Sequence, residues 1–147
     1  AVTLQEIKDL SVEQLDLMIP SGGNSIGALL KHIAAIEKAH QLISFQERDF
    51  TKEELEIWED ALYLGEVGRT IRGHEIKYYV QLLQSVREES LKYLSEQDDE
   101  WLKSERKWPN GVAYNQHYLW FHVLEDEINH RGQIRMMKNK LFENYVK

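Results

Sequence analysis

Apolar residues recur along most of this chain at intervals of three and four. From Ser25 to Glu47, Ile26, Leu29, Leu30, Ile33, Ile36 and Ile43 share one helical face. From Glu75 to Glu96, Ile76, Tyr79, Val80, Leu83, Val86, Ser90, Leu91 and Leu94 form a second stripe. A third segment, about 113–144, carries Leu119, Val123, Ile134, Met137 and Leu141 on its inward face. Shorter helices are predicted where capping boxes occur, at Ser11/Gln14 and Thr51/Glu54. Breaks are expected at Pro20-Ser21-Gly22-Gly23-Asn24, in the Gly-punctuated 65–73 stretch and at Trp108-Pro109-Asn110-Gly111. Asn24 or Ser25 is the expected cap of the first long helix. Period-2 strand patterns and internal repeats are missing. The pattern predicts an all-α fold: a four-helix bundle with long crossover connections and short extra helices. Its length of 147 residues suits a single domain, 1–147. The apolar segment Val2–Leu10 is short for a full bundle helix, which suggests a chain trimmed at its start.

One stripe is anomalous. In HVLEDEINHRGQI, His122, Asp126, His130 and Gln133 fall on the face that should be dry. Residues at i and i+4 lie about 40° apart around a helix, so these side chains stack along one side. An ionised Asp without a partner costs several kcal/mol to bury. A divalent ion shared with the imidazoles would compensate it. The plainer reading is an Asp–His hydrogen bond, or a polar stripe at a solvated groove or dimer seam, and on this helix alone it is the commoner case. His32 adds weight to the first. It sits mid-helix among Ala28, Leu29, Ala35 and Ile36, where an imidazole points inward. Two histidines and a carboxylate suit Zn²⁺, Ni²⁺ or Fe²⁺, with positions left open for water or substrate. A satisfied core histidine is the alternative.

A di-iron carboxylate site is a rival. Glu37-Lys38-Ala39-His40 and Glu127-Ile128-Asn129-His130 are both E-x-x-H. Glu75, Glu88 or Glu89, with Glu6 or Glu13, would have to complete it. Glu127 also has a simpler partner in sight, an i to i+4 ion pair with Arg131.

Composition narrows the chemistry. The net charge is −7, and the one basic cluster, Lys103 to Lys107, is short and interrupted by Glu105. This argues against nucleic acid as the main partner. The chain has no cysteine, hence no disulfide, thiolate ligand or cysteine nucleophile, which is compatible with a cytoplasmic location. No run of about eighteen apolar residues is present to span a membrane, and no charged-then-apolar leader precedes residue 10. A small-molecule substrate is the expected partner; a homodimer is compatible with such bundles, though no residue singles one out.

The segments SVEQLDLMIPSGGNSIGALLKHIAAIEKAH and WFHVLEDEINHRGQIRMM, with their order and spacing, resemble the DinB-like family of four-helix bacterial proteins. That family includes the bacillithiol transferases, and the mycothiol-dependent maleylpyruvate isomerase belongs to the same superfamily. The resemblance implies a divalent metal held by one His of the second helix and an H-x-x-x-H pair of the last. His32 and His130 match two of those positions. The third is Asp126, where most members have His and the isomerase branch has Glu. Asp is one methylene shorter than Glu, so its reach depends on helix spacing. His122, one turn earlier, is a substitute ligand or a proton carrier. Glu37 matches a family Glu with a supporting or pocket role, and it is the second candidate catalytic residue. The implied activity is metal-dependent transfer of a low-molecular-weight thiol to an electrophilic small molecule. The competing implication is a non-catalytic, stress-associated bundle whose metal site degenerated at Asp126.

Overall fold

A computed structural model describes residues 2–18 and 22–143, the side chains of 141–143 excepted. The expected break at Pro20-Ser21 and the core role of Leu141 therefore fall outside the described residues. Within them the fold is all-α apart from one small hairpin. The order is α1 (Val2–Ile7), α2 (Val12–Asp16), α3 (Ile26–Phe45), α4 (Lys52–Leu62), α5 (Gly65–Gly68), α6 (Ile76–Leu94), α7 (Asp99–Lys103), β1 (Glu105–Lys107), β2 (Ala113–Asn115) and α8 (Gln116–Glu143).

Both predicted capping boxes form, at Ser11/Gln14 and Thr51/Glu54, each satisfying amides that a helix start leaves without partners. Ser25, not Asn24, caps α3 by accepting from the Ala28 amide. Asn24 instead accepts from the Gly65 amide, which ties the loop before α3 to the start of α5.

α3 is the central element and packs against α2, α4, α6 and α8; α1 lies against α8. Leu29, Leu30, Ile33, Tyr79, Val86, Ile134 and Met137 are buried in the shared core. The long crossovers are present. Residues 46–75 carry α4 and α5, and residues 95–115 carry α7 and the hairpin. Gly27 has a packing reason: a Cβ there would stand 2.4 Å from the Tyr79 hydroxyl.

Two expectations need correction. The last helix starts at Gln116, not near 113, because 113–115 pair antiparallel with 105–107. Strands of three residues are too short to display a period of two, so the hairpin was invisible in the pattern. Leu91, placed on the inward stripe of α6, is 59% exposed. Ser90, one residue earlier, is the position that meets α3, through Gln41, and Leu91 lies about 100° further round the helix. No helix among the described residues is long and apolar enough to cross a membrane.

Candidate metal centre

Three elements bring the centre together. α3 supplies His32, α8 supplies Asp126 and His130, and α4 holds His32 in place. The clamp on α3 uses two consecutive residues. Lys31 Nζ donates to both carboxylate oxygens of Asp60, each at 2.7 Å. Next to it, His32 Nδ1 lies 2.6 Å from the carbonyl oxygen of Ala61. A carbonyl can only accept, so Nδ1 carries a proton, and in the neutral ring Nε2 presents a lone pair.

That lone pair meets the face of α8. His32 Nε2 lies 3.8 Å and His130 Nε2 lies 3.2 Å from Asp126 Oδ1. The two imidazole rings stand edge to face, with centroids 4.9 Å apart. His130 is oriented as His32 is: its Nδ1 lies 3.2 Å from the amide oxygen of Gln133, again leaving Nε2 for the centre. The three side chains retain only 11–13% of their exposure.

The donor set fits a divalent ion. One ligand atom from each of His32, Asp126 and His130 lies within 4.8 Å of the other two. Ligands around tetrahedral zinc, at bonds of about 2.0–2.1 Å, sit roughly 3.3 Å apart, so small side-chain adjustments suffice. Asp126 Oδ2 is buried and has no hydrogen-bond partner among the described residues. A buried oxygen without a partner costs about 1–3 kcal/mol, and more when charged. A cation would satisfy it.

The electrostatics agree. Burial alone would raise the Asp126 carboxyl, but hydrogen bonds and charge from His130 and His32 outweigh it and hold the group well below the usual carboxylate range. Burial pulls His130 down, while Asp126 pulls it above its ordinary value, with net effect upward.

The other predicted residues stand apart from this triad. His122, expected on the inward stripe, has a side chain 47% exposed and donates from Nδ1 to Glu125. Each i+4 step drifts about 40° around the helix, so two steps before His130 the line has turned toward solvent. Its ring lies 5.6 Å from that of His40, a buried histidine held by the Ile36 carbonyl. Glu37 is buried with both oxygens engaged by Arg87, at 2.8 and 3.1 Å. Arg87 also donates to Glu127 at 2.7 Å, and Thr3 donates to the other Glu127 oxygen. Glu127 thus pairs across helices rather than with Arg131.

These contacts dismantle the di-iron geometry. The two E-x-x-H carboxylates grip one guanidinium, and His32, Asp126 and His130 form the one candidate metal cluster among the described residues. Arg87 itself was missed, as was the Ala61 carbonyl. An Arg inside the α6 pattern was the available signal for the first. A backbone carbonyl leaves no mark in a sequence.

A family model described as mycothiol-S-transferase matches residues 1–141. No curated protein matches the chain. The helical architecture, the family match and the two quoted segments agree, and the chain belongs to the mycothiol-S-transferase family of the DinB-like superfamily.

Proposed function

We propose that this protein is a divalent-metal-dependent S-transferase that joins a low-molecular-weight thiol to a small electrophile. The observation that carries the reading is the buried His32–Asp126–His130 donor set with its partnerless Oδ2. With no cysteine in the chain, the reacting sulfur belongs to the cosubstrate. Zn²⁺, Ni²⁺ or Fe²⁺ in this set would supply a Lewis acid that favours the thiolate form of a thiol.

The protein's own residues prepare that chemistry. Ala61 and Gln133 fix the tautomers of His32 and His130, keeping both Nε2 atoms turned to the centre. Asp126 contributes the negative charge. This reading gives His122, whose side chain is about half exposed, the passage of the released proton to solvent. Glu37 acts through Arg87 as a positioning residue, since both its oxygens are engaged. The reducing cytoplasm is where a thiol cosubstrate would be maintained.

Elemental analysis after incubation with each ion, on wild type, His32→Ala and Asp126→Ala, tests the reading. About one ion per chain, lost in both variants, is expected, together with thiol conjugation by the loaded wild type. No bound ion at neutral pH would mean a non-catalytic bundle whose centre was lost at Asp126.

A further inference from the structure

The seam between α3 and α8 carries a second pair of histidines. His40 lies eight positions after His32 on α3, and His122 lies eight positions before His130 on α8. The two helices run antiparallel, and hydrogen bonds from Ser44 to Gln116 and from Trp120 to Ser44 continue the seam beyond His40. His40 therefore meets His122 as His32 meets His130, about 12 Å further along the axis. Eight positions also turn the line by about 80°, which brings this pair to the edge of the bundle. His40 is buried, and the His122 side chain is 47% exposed.

Both rings are held as ligand histidines are held. His40 Nδ1 donates to the Ile36 carbonyl oxygen at 2.7 Å, and His122 Nδ1 donates to Glu125 at 3.2 Å. In the neutral ring each Nε2 is then a bare lone pair, and neither Nε2 has a hydrogen-bond partner among the described residues. Metal-bound histidines have this arrangement, with the other ring nitrogen on a carbonyl or a carboxylate. Burial holds His40 below its ordinary value, so the ring is neutral at pH 7 and loses no proton to bind. The ring centroids lie 5.6 Å apart, against 4.9 Å for His32 and His130. Two imidazoles on one tetrahedral ion, with bonds of about 2.0–2.1 Å, have centroids roughly 5–6 Å apart.

We propose that His40 and His122 form a second, solvent-facing site for one Zn²⁺, Ni²⁺ or Cu²⁺ ion, bound through their Nε2 atoms, with Glu125 orienting His122. Imidazole pairs select these ions over Mg²⁺ and Ca²⁺, which need oxygen ligands. Water completes the shell. Two protein ligands hold an ion more weakly than three, so this ion exchanges and gel filtration should strip it while the buried centre keeps its own. The site does not rest on the transferase reading, because neither of its ligands belongs to the His32–Asp126–His130 set.

The test follows the imidazole ¹⁵N resonances of the full chain, loaded with Zn²⁺, passed through gel filtration and then titrated with further Zn²⁺. The Nε2 resonances of His40 and His122 should shift together and saturate at about one added ion per chain. Mg²⁺ should leave both in place. His74, stacked on Tyr78 and outside the seam, should respond about tenfold more weakly or less. His122→Gln, at a half-exposed position that tolerates the change, should weaken Zn²⁺ at His40 by at least about tenfold, the loss that removing even an orienting partner brings. Asp126→Ala, which lacks the buried centre, should keep the paired shift.

A shift of His122 alone would mark an exposed histidine that binds ions adventitiously, and would overturn the proposal. So would an equal response to Mg²⁺, unchanged binding at His40 in His122→Gln, or loss of the paired shift in Asp126→Ala. Protein that retains no ion through gel filtration, yet shows the paired shift, would remove the buried centre and leave this site.

Discussion

α3 and α8 each contribute buried acid to two neighbouring places, and the two places are built differently. In the Glu37–Arg87–Glu127–Thr3 network every carboxylate oxygen has a partner. In the His32–Asp126–His130 centre, Oδ1 faces two imidazoles and Oδ2 has no hydrogen-bond partner among the described residues. The first is complete as it stands and joins α1, α3, α6 and α8. The second is incomplete without a further positive charge. Burial of an acid therefore does not by itself identify a functional site; an unanswered oxygen does.

Removing Arg87 should have the largest effect on stability. Arg87→Met strands the buried Glu37 and the part-buried Glu127 and should cost about 2–3 kcal/mol in urea unfolding, less than the roughly 3–5 kcal/mol of a fully buried pair because Arg87 is about a third exposed. Glu127 gives this loss a pH signature. Burial would raise its carboxyl, but hydrogen bonds from Thr3 and Arg87 hold it below the ordinary 4.5. Its contribution is present above pH 4.5 and is lost as pH falls through the depressed value. In Arg87→Met the loss should begin at higher pH.

The metal centre should show the opposite design. An ion at about a hundred times its dissociation constant should add about 2.7 kcal/mol to wild-type stability, and nothing to Asp126→Asn, by thermal denaturation. The pH slopes should also oppose one another. His130 is raised above 6.5 in the folded protein, with burial opposing and Asp126 prevailing. In metal-free protein its contribution is full below pH 6.5 and is lost as pH rises through the raised value. Ion binding needs neutral imidazole, so it should strengthen over that same rise. Parallel slopes with and without metal would remove the contrast between the two places.

Two smaller effects complete the series. Ser25→Ala removes the cap of α3, the helix that carries His32, and should cost about 1 kcal/mol by urea unfolding. Asp126→Asn in metal-free protein should change stability by less than about 1 kcal/mol. The His130 pair it loses is offset by relief of a buried, partnerless carboxylate oxygen.

Much of this was legible in the chain. The stripes of α3, α6 and α8 follow from helical periodicity, and both capping boxes are local patterns that the fold preserves. His32, Asp126 and His130 stood out because polar groups interrupted apolar faces. His122 misled because the i+4 repeat was extended one step too far along a drifting line. Glu127 misled because a nearby Arg131 offered a local pair, while Arg87 and Thr3 offered stronger ones from other helices.

The sequence by itself determined the long helices, their capping boxes and the three residues suited to an ion, because each stands out by spacing within its own segment. Tertiary structure decided which acids were neutralised and which was left open. The same chemical type, a carboxylate on an inward face, became a closed strut at Glu37 and an open ligand at Asp126. Only the packing of α6 and α4 against α3 places a guanidinium beside one and an oriented imidazole beside the other. Coulombic and hydrogen-bond energies depend on distances between segments remote in the chain, and no local pattern encodes those distances.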